Sequence, residues 1–451
     1  MPINRHNSHR PWLIIGIVII LCTVGSGFYQ NLSAEDEETY KGLKVFSDVI
    51  ELIQKNYVDP VDTQKLIEKA IQGMVSSLDP HSALLPPDDF EELRIDTKGK
   101  FTGIGIHITM RNGYVTVVSP IEGTPAYKAG IKAMDKIVKV DNMETTDLRD
   151  AVNRMRGPKG TTVVVTVVRD GTPDPIEFTL VRDVIPIESV KKVTLKPGYG
   201  YVWITNFRDK TSDDLIDALD NLEAENPSMK GLVLDLRNNP GGILNQAIKV
   251  SDIFLEDGTI LTIKGREGKH SKTFKATPND KKRNYPLVVL INGGSASASE
   301  IVAGALQDQK RALILGTTSF GKGSVQTVET LRDGYGLKFT IARYYTPSGR
   351  SIQAKGVVPD ISVDYERLEK NGEKNDREDV LKEKDLKNHL DAKPLKGKQD
   401  TDLQKKKKLE EKETPQSPDA LMRTRLMEDN QVLRALEILI SYDIFKESQN
   451  G

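Results

Sequence analysis

Three short runs of uninterrupted apolar residues constrain the fold most: Gly231-Leu-Val-Leu-Asp235, Pro286-Leu-Val-Val-Leu-Ile291 and Ala312-Leu-Ile-Leu-Gly316. A half-exposed strand alternates polar and apolar residues, whereas a continuous apolar strand needs cover on both faces. Helical spacing separates the runs. Leu215, Ile216, Leu219 and Leu222 share one face of a helix over 213–222, and a second helix is predicted over 300–309. Buried strands joined through helices predict an α/β core over residues 184–365, with its sheet between helical layers.

The preceding stretch reads differently. Residues 96–183 contain the strand-like Tyr114-Val-Thr-Val-Val118, Lys136-Ile-Val-Lys-Val140, Thr162-Val-Val-Val-Thr-Val-Val168 and Ile176-Glu-Phe-Thr-Leu180. Asp170-Gly-Thr172 marks a hairpin turn, and short helices are expected near 124–129 and 147–155. This predicts a compact β-rich domain with two helices. Residues 38–95 are read as a helical N-terminal segment broken at Pro60, and 418–447 as a C-terminal helix for docking or dimerisation. Between them, residues 366–417 are crowded with Lys, Glu and Asp, the composition of a solvated linker. The fold class is α/β multidomain.

Residues 11–28 are apolar, with Arg5 and Arg10 before them and Glu35-Asp36-Glu37-Glu38 after them. That polarity predicts export across a cytoplasmic membrane. Residues 1–34 are then either a cleaved signal peptide or an anchor that keeps the protein on the membrane. The 64 basic and 65 acidic residues nearly cancel, which gives no argument for nucleic acid as a partner. Cys22 is the only cysteine, and the six histidines form no HExxH, so cysteine catalysis and a zinc peptidase are both poor readings.

The chemistry concentrates in short polar loops. Gly294-Ser-Ala-Ser-Ala-Ser-Glu300 follows a buried strand, and Ser297 with Glu300 fits a helix capping box. A serine at a strand-to-helix turn is also presented at the sheet edge, beside backbone N–H groups that can bind an oxyanion. Ser295 and Ser299 remain rival nucleophiles. Lys322 lies 25 residues after Ser297, in Phe320-Gly-Lys-Gly-Ser-Val-Gln326. A lysine amine can activate a serine when burial lowers its pKa, and Gln326 is placed to orient that amine. Gly316 to Lys322 also fits GxxxxGK, but Gly323 replaces the Ser or Thr that nucleotide binding needs. In Asp235-Leu-Arg-Asn-Asn-Pro-Gly-Gly242, a glycine N–H can complete an oxyanion hole while Asp235 and Arg237 brace the loop. Gly103-Ile-Gly-Ile106 can offer N–H groups to a peptide carboxylate beside a free strand edge.

These four blocks, in this order, resemble the carboxyl-terminal processing (tail-specific) serine peptidases with an embedded PDZ domain, over roughly residues 38–365. The resemblance implies Ser297 as nucleophile, Lys322 as general base and Gln326 as its orienting partner. It implies an oxyanion hole from the N–H groups of Ala298 and of Gly241 or Gly242. Gly103, Ile104, Gly105 and Ile106 would bind a substrate C-terminus, with Ile104 and Ile106 lining the pocket, and Arg156 would relay between PDZ domain and protease. The implied partners are proteins with apolar C-termini, an adaptor or activator, and a second copy of the chain through the terminal helices. No cofactor or metal is implied. Alternative readings are a non-catalytic PDZ scaffold and a nucleotide-dependent enzyme.

Overall fold

A computed structural model describes residues 37–367 and 418–450. The expected signal or anchor and most of the charged linker lie outside these residues. The chain divides between Val75 and Ser76 into two units. The first contains helix α1 (37–56) and most of α2 (Thr63–Ser76). Apolar side chains of α1, including Tyr40, Leu43 and Leu52, are exposed. Among the described residues no helix is long and apolar enough to cross a membrane.

The second unit opens with a short strand, β1 (Ala83–Leu85), and helix α3 (Pro87–Lys98). A two-stranded ribbon of β2 (Lys100–Gly103) and β9 (Asp183–Pro186) brackets the β-rich domain. Inside the bracket lie β3 (Ile106–Arg111), β4 (Tyr114–Pro120), α4 (Pro125–Ala129), β5 (Lys136–Val140), β6 (Met143–Glu144), α5 (Leu148–Met155), β7 (Thr162–Val168) and β8 (Ile176–Val181). The sheet runs β3-β4-β5-β7-β8, with β6 paired to β5. Its core is Val115, Val117, Ile137, Val140, Val163, Val165 and Val167, the inward residues of the alternating strands. Among the described residues β3 pairs only with β4, which leaves one edge open.

The α/β core is a six-stranded sheet in the order β10-β11-β12-β15-β16-β19. Its strands are β10 (Val190–Lys196), β11 (Tyr199–Ile204), β12 (Gly231–Asp235), β15 (Leu287–Ile291), β16 (Leu313–Gly316) and β19 (Ile361–Ser362). Only β10 runs antiparallel to its neighbour. Every residue of β12 and β15 is buried, as their apolar runs require. One face is covered by α6 (Thr211–Glu225), α7 (Leu244–Asp252) and α8 (Ala298–Asp308). The other is covered by α9 (Pro418–Leu426) and α10 (Asn430–Asn450), which bring Val432, Ala435, Leu436 and Leu439 onto the sheet. The apolar stripe of the C-terminal helix is thus buried within its own chain.

A second, antiparallel sheet joins β1 to β18 (Gly336–Tyr345), β13 (Thr259–Gly265) and β14 (Lys272–Lys275), with β17 (Ser324–Thr330) also on β18. Helix α7 and all of this sheet except the start of β17 are additions to the elements read from sequence. Their half-polar, irregular strands carry no continuous apolar signal.

Candidate active site

Adjacent parallel strands β12, β15 and β16 each end in one of the polar loops, so all three loops open at the carboxyl edge of the sheet. Open α/β sheets place ligands at that edge. After β15 the chain turns through Asn292 to Ala296 and enters α8 at Ser297. Asn292 Oδ1 accepts the N–H groups of Gly294 (3.0 Å) and Asn238 (2.9 Å), which stitches this turn to the loop after β12. Ser297 has φ 53° and ψ −109°. A positive φ in a non-glycine residue of this kind costs about 1–3 kcal/mol and persists only where its surroundings hold it. A serine on such a strand-to-helix turn is pushed outward from the backbone.

The rival serines are committed elsewhere. Ser295 Oγ donates to Leu236 O (2.8 Å) and accepts the Asn292 N–H (3.0 Å). Ser299 Oγ donates to Asn239 O (2.9 Å). Both are fully buried and fasten the turn to its neighbour loop. Ser297, 7% exposed, instead has its Oγ 3.1 Å from the phenol oxygen of Tyr344.

Glu300 is the hub. Its carboxylate is completely buried and accepts four hydrogen bonds. Oε2 takes the N–H of Ser297 (2.8 Å) and the N–H of Lys322 (2.9 Å). Oε1 takes Ser319 Oγ (2.6 Å) and the N–H of Gly321 (2.7 Å). One oxygen atom therefore joins the backbone of the serine turn to that of the lysine loop. Burial pushes the Glu300 carboxyl up to about 7, against the lowering effect of its hydrogen bonds. The sequence marked Glu300 only as a capping partner. The stronger signal was an acid opening the apolar run Ile301-Val-Ala-Gly-Ala-Leu306, where a buried charge needs several donors.

The loop after β12 completes the edge. Asp235 accepts Arg237 at N–H and guanidinium (2.6–3.0 Å) and the hydroxyl of Tyr201 (2.7 Å). Arg237 reaches on to Asp429 (2.8 Å) and to Gln431 Oε1 (2.7 Å), at the start of α10. A Cβ on Gly241 would lie 2.8 Å from both Ala296 O and Ser297 Cβ, so only glycine fits against the serine turn. The Gly241 N–H donates to Asn239 Oδ1 (2.9 Å). Among the described residues the N–H groups of Gly242 and Ala298 meet no acceptor.

The other candidates are placed as follows. Gln326, on β17, donates through Nε2 to Ser324 Oγ (2.9 Å) and Thr340 Oγ1 (3.3 Å). Ile104 is 2% exposed, within the core of the β-rich domain, and Ile106 packs partly buried against that core. Gly105 takes φ 79° against Thr124, whose Oγ1 donates to Gly105 O (3.0 Å). Gly103 ends β2. Arg156 follows α5, with its guanidinium 5.5 Å from the ring centre of Phe101 on the β2–β9 ribbon. Tyr344 was not singled out in the sequence. In Arg343-Tyr-Tyr345 only pairing with β13 decides which tyrosine faces the serine, and Tyr345 instead lies under Lys264.

Residues 198–363 match the model of peptidase family S41, residues 102–180 the PDZ domain, and residues 26–86 the N-terminal domain of the activating protease CtpB. The chain is 46% identical over 378 residues to a carboxy-terminal-processing protease of Bartonella bacilliformis, covering 83% of this chain and 85% of that one. It is 38% identical over 325 residues to carboxy-terminal processing protease CtpA of Bacillus subtilis, covering 70% and 69%. Among solved structures, the photosystem II D1 C-terminal processing protease aligns at a TM-score of 0.42 and 33% identity, over 71% of this chain and 92% of that one. The chain belongs to peptidase family S41, as a carboxy-terminal processing serine peptidase with a PDZ domain.

Proposed function

We propose that this peptidase cleaves exported proteins at or near apolar C-termini through Ser297 and Lys322. The observation that carries the reading is the shared acceptor: Ser297 N–H and Lys322 N–H both end on Glu300 Oε2. In the proposed reaction Lys322 Nζ takes the hydroxyl proton as Ser297 Oγ bonds to the substrate carbonyl carbon. The carbonyl electron pair moves onto oxygen, between the N–H groups of Ala298 and Gly242. Gly241 provides clearance, since its own N–H is engaged by Asn239. Collapse breaks the C–N bond, and Lys322 returns its proton to the leaving amine. Water then attacks the acyl-enzyme by the same route. Gln326, whose Nε2 is taken by hydroxyls, would orient the lysine through its amide oxygen.

The PDZ domain is the proposed reader of the substrate tail. The open edge of β3 pairs with the incoming strand, and the Gly103–Ile106 loop receives the terminal carboxylate. With Ile104 in the core, Ile106 is the pocket-lining residue. The adjacent ribbon, with Phe101 beneath Arg156, is the proposed relay that couples tail binding to the protease. The basic-before, acidic-after flanks of residues 11–28 support a site of action outside the cytoplasmic membrane.

The test is degradation of an unfolded protein with an apolar C-terminus by the purified full chain, beside Ser297→Ala and Lys322→Ala. Cleavage by the wild type alone is expected, with loss when the substrate tail is made polar. Equal cleavage by all three proteins would refute the assignment.

A further inference from the structure

Beside the proposed nucleophile stands a group that is neither the proposed base nor an oxyanion donor. Tyr344 is 4% exposed, and its phenol oxygen stands 3.1 Å from Ser297 Oγ. Either hydroxyl can be the donor in this pair, and Ser297 Oγ also caps the start of α8 toward the Glu300 N–H. The backbone of Tyr344 is fixed as well, because its N–H donates to Gly323 O (2.9 Å), next to Lys322. One residue of β18 therefore touches the nucleophile with its side chain and the lysine loop with its main chain.

We propose that Tyr344 is a further catalytic residue, whose phenol donates a hydrogen bond to Ser297 Oγ and stabilises the charge on that oxygen when it attacks and when it leaves. This rests on Ser297 being the nucleophile. The Oγ atom has one proton and two lone pairs. When Lys322 takes the proton, the O–H bonding pair stays on Oγ; one of its three lone pairs forms the bond to carbon, and one of the two that remain accepts from Tyr344. In deacylation the C–Oγ bond breaks and Oγ departs with the bonding electron pair. It receives its proton from Lys322 while Tyr344 still donates. Tyr344 keeps its own proton throughout, so no acid or base is added to the reaction. Burial, with the nearby Glu300 carboxylate, pushes the phenol up to about 12 despite the hydrogen bond to Ser297, and it remains a neutral donor at working pH. A donor aimed at an oxygen that gains charge favours the transition state over the ground state.

Tyr344→Phe removes one oxygen and keeps the ring in its buried site. The experiment measures the rate at which a fluorophosphonate labels Ser297 in the full-length chain. It also measures kcat and KM on a protein substrate with an apolar tail, and the melting temperature. The expected result is labelling slower by roughly 10- to 100-fold, the range for losing a hydrogen bond to a charged atom. kcat should fall in parallel, with KM and melting unchanged. Labelling at the wild-type rate overturns the proposal. Faster labelling also overturns it, since the tyrosine would then be a brake on the serine. A wild type that is not labelled at Ser297 refutes the nucleophile itself, a failure distinct from the other two. Should Tyr344→Phe fail to fold, 3-fluorotyrosine at position 344 preserves the contact and strengthens the donor. Labelling must then accelerate, and an unchanged rate overturns the proposal.

Discussion

Glu300→Gln is the most informative single substitution, because stability and activity should respond to pH in opposite directions. Burial raises the folded-state carboxyl from 4.5 to about 7. The folded state therefore binds this proton more tightly than the unfolded chain does. The stability it contributes is fully present below about pH 4.5 and is lost as pH rises through about 7. At 1.36 kcal/mol per unit the loss is about 3 kcal/mol. Gln cannot titrate and should lack this slope. It also brings an NH₂ group against backbone donors. Both partners of Oε2 are N–H groups, and Oε1 faces the N–H of Gly321, so either amide orientation sets donor against donor. The donor clash adds a pH-independent penalty of about 2–5 kcal/mol to the variant, on top of the lost slope. Urea unfolding of both proteins at pH 4.5, 6 and 8 checks this. The wild-type advantage should shrink by about 3 kcal/mol over that range. Fluorophosphonate labelling of the wild type should rise over the same range, because only the anion accepts all four donors, and the variant should label slowly throughout. Stability curves that run parallel would refute the raised carboxyl. Wild-type labelling in Glu300→Gln would refute its role in holding the site.

Gly241→Ala should abolish labelling and also lower the melting temperature. The new Cβ would fall 2.8 Å from Ser297 Cβ at a φ of 103°, and labelling beside a melting curve separates the two effects. Arg237→Ala should destabilise the core by about 3–5 kcal/mol, because it strands the buried Asp235 and Asp429 without a counter-charge. Thermal melting checks this, and a change below 1 kcal/mol would mean that solvent replaces the guanidinium.

The α/β core was legible because burial writes itself into composition. β12 is a run of apolar residues flanked by Gly231 and Asp235, and it needed no partner to be recognised. The β-rich domain was legible through strand-like runs of Val and Thr such as β7. The second sheet was not. Its longest strand, β18, is Gly-Leu-Lys-Phe-Thr-Ile-Ala-Arg-Tyr-Tyr, mostly half-buried, and its register comes from β13 and β17 rather than from its own pattern. Tyr344 was lost with it. The candidate loops were legible as motifs, but the link between them was not. Nothing in Ser297-Ala-Ser-Glu300 shows that the glutamate also holds the amides of Gly321 and Lys322. Such bonds follow from β15 lying beside β16, a fact of topology.

Several features that cost free energy gather at one place. Ser297 and Asn238 have positive φ, Glu300 is a buried acid, and Arg237 is a nearly buried cation between two carboxylates. All lie on the loops that leave the carboxyl edge of β12, β15 and β16, or on the helix they open. Apolar strands buried on both faces can hold this load, since few other arrangements of the loops would keep the sheet covered. The C-terminal helix belongs to that holding structure. It covers the sheet with Val432, Ala435, Leu436 and Leu439, and near its first turn Asp429 and Gln431 close on Arg237. The loop that carries Gly241 and Gly242 is therefore fixed from both faces of the sheet: by the Ser295 and Ser299 hydroxyls on the α8 side, and by residues nearly two hundred positions later on the other. A substitution at the start of α10 should reach the oxyanion loop through Arg237 without touching a reacting atom, and the C-terminal helix is part of the peptidase core rather than an appendage to it.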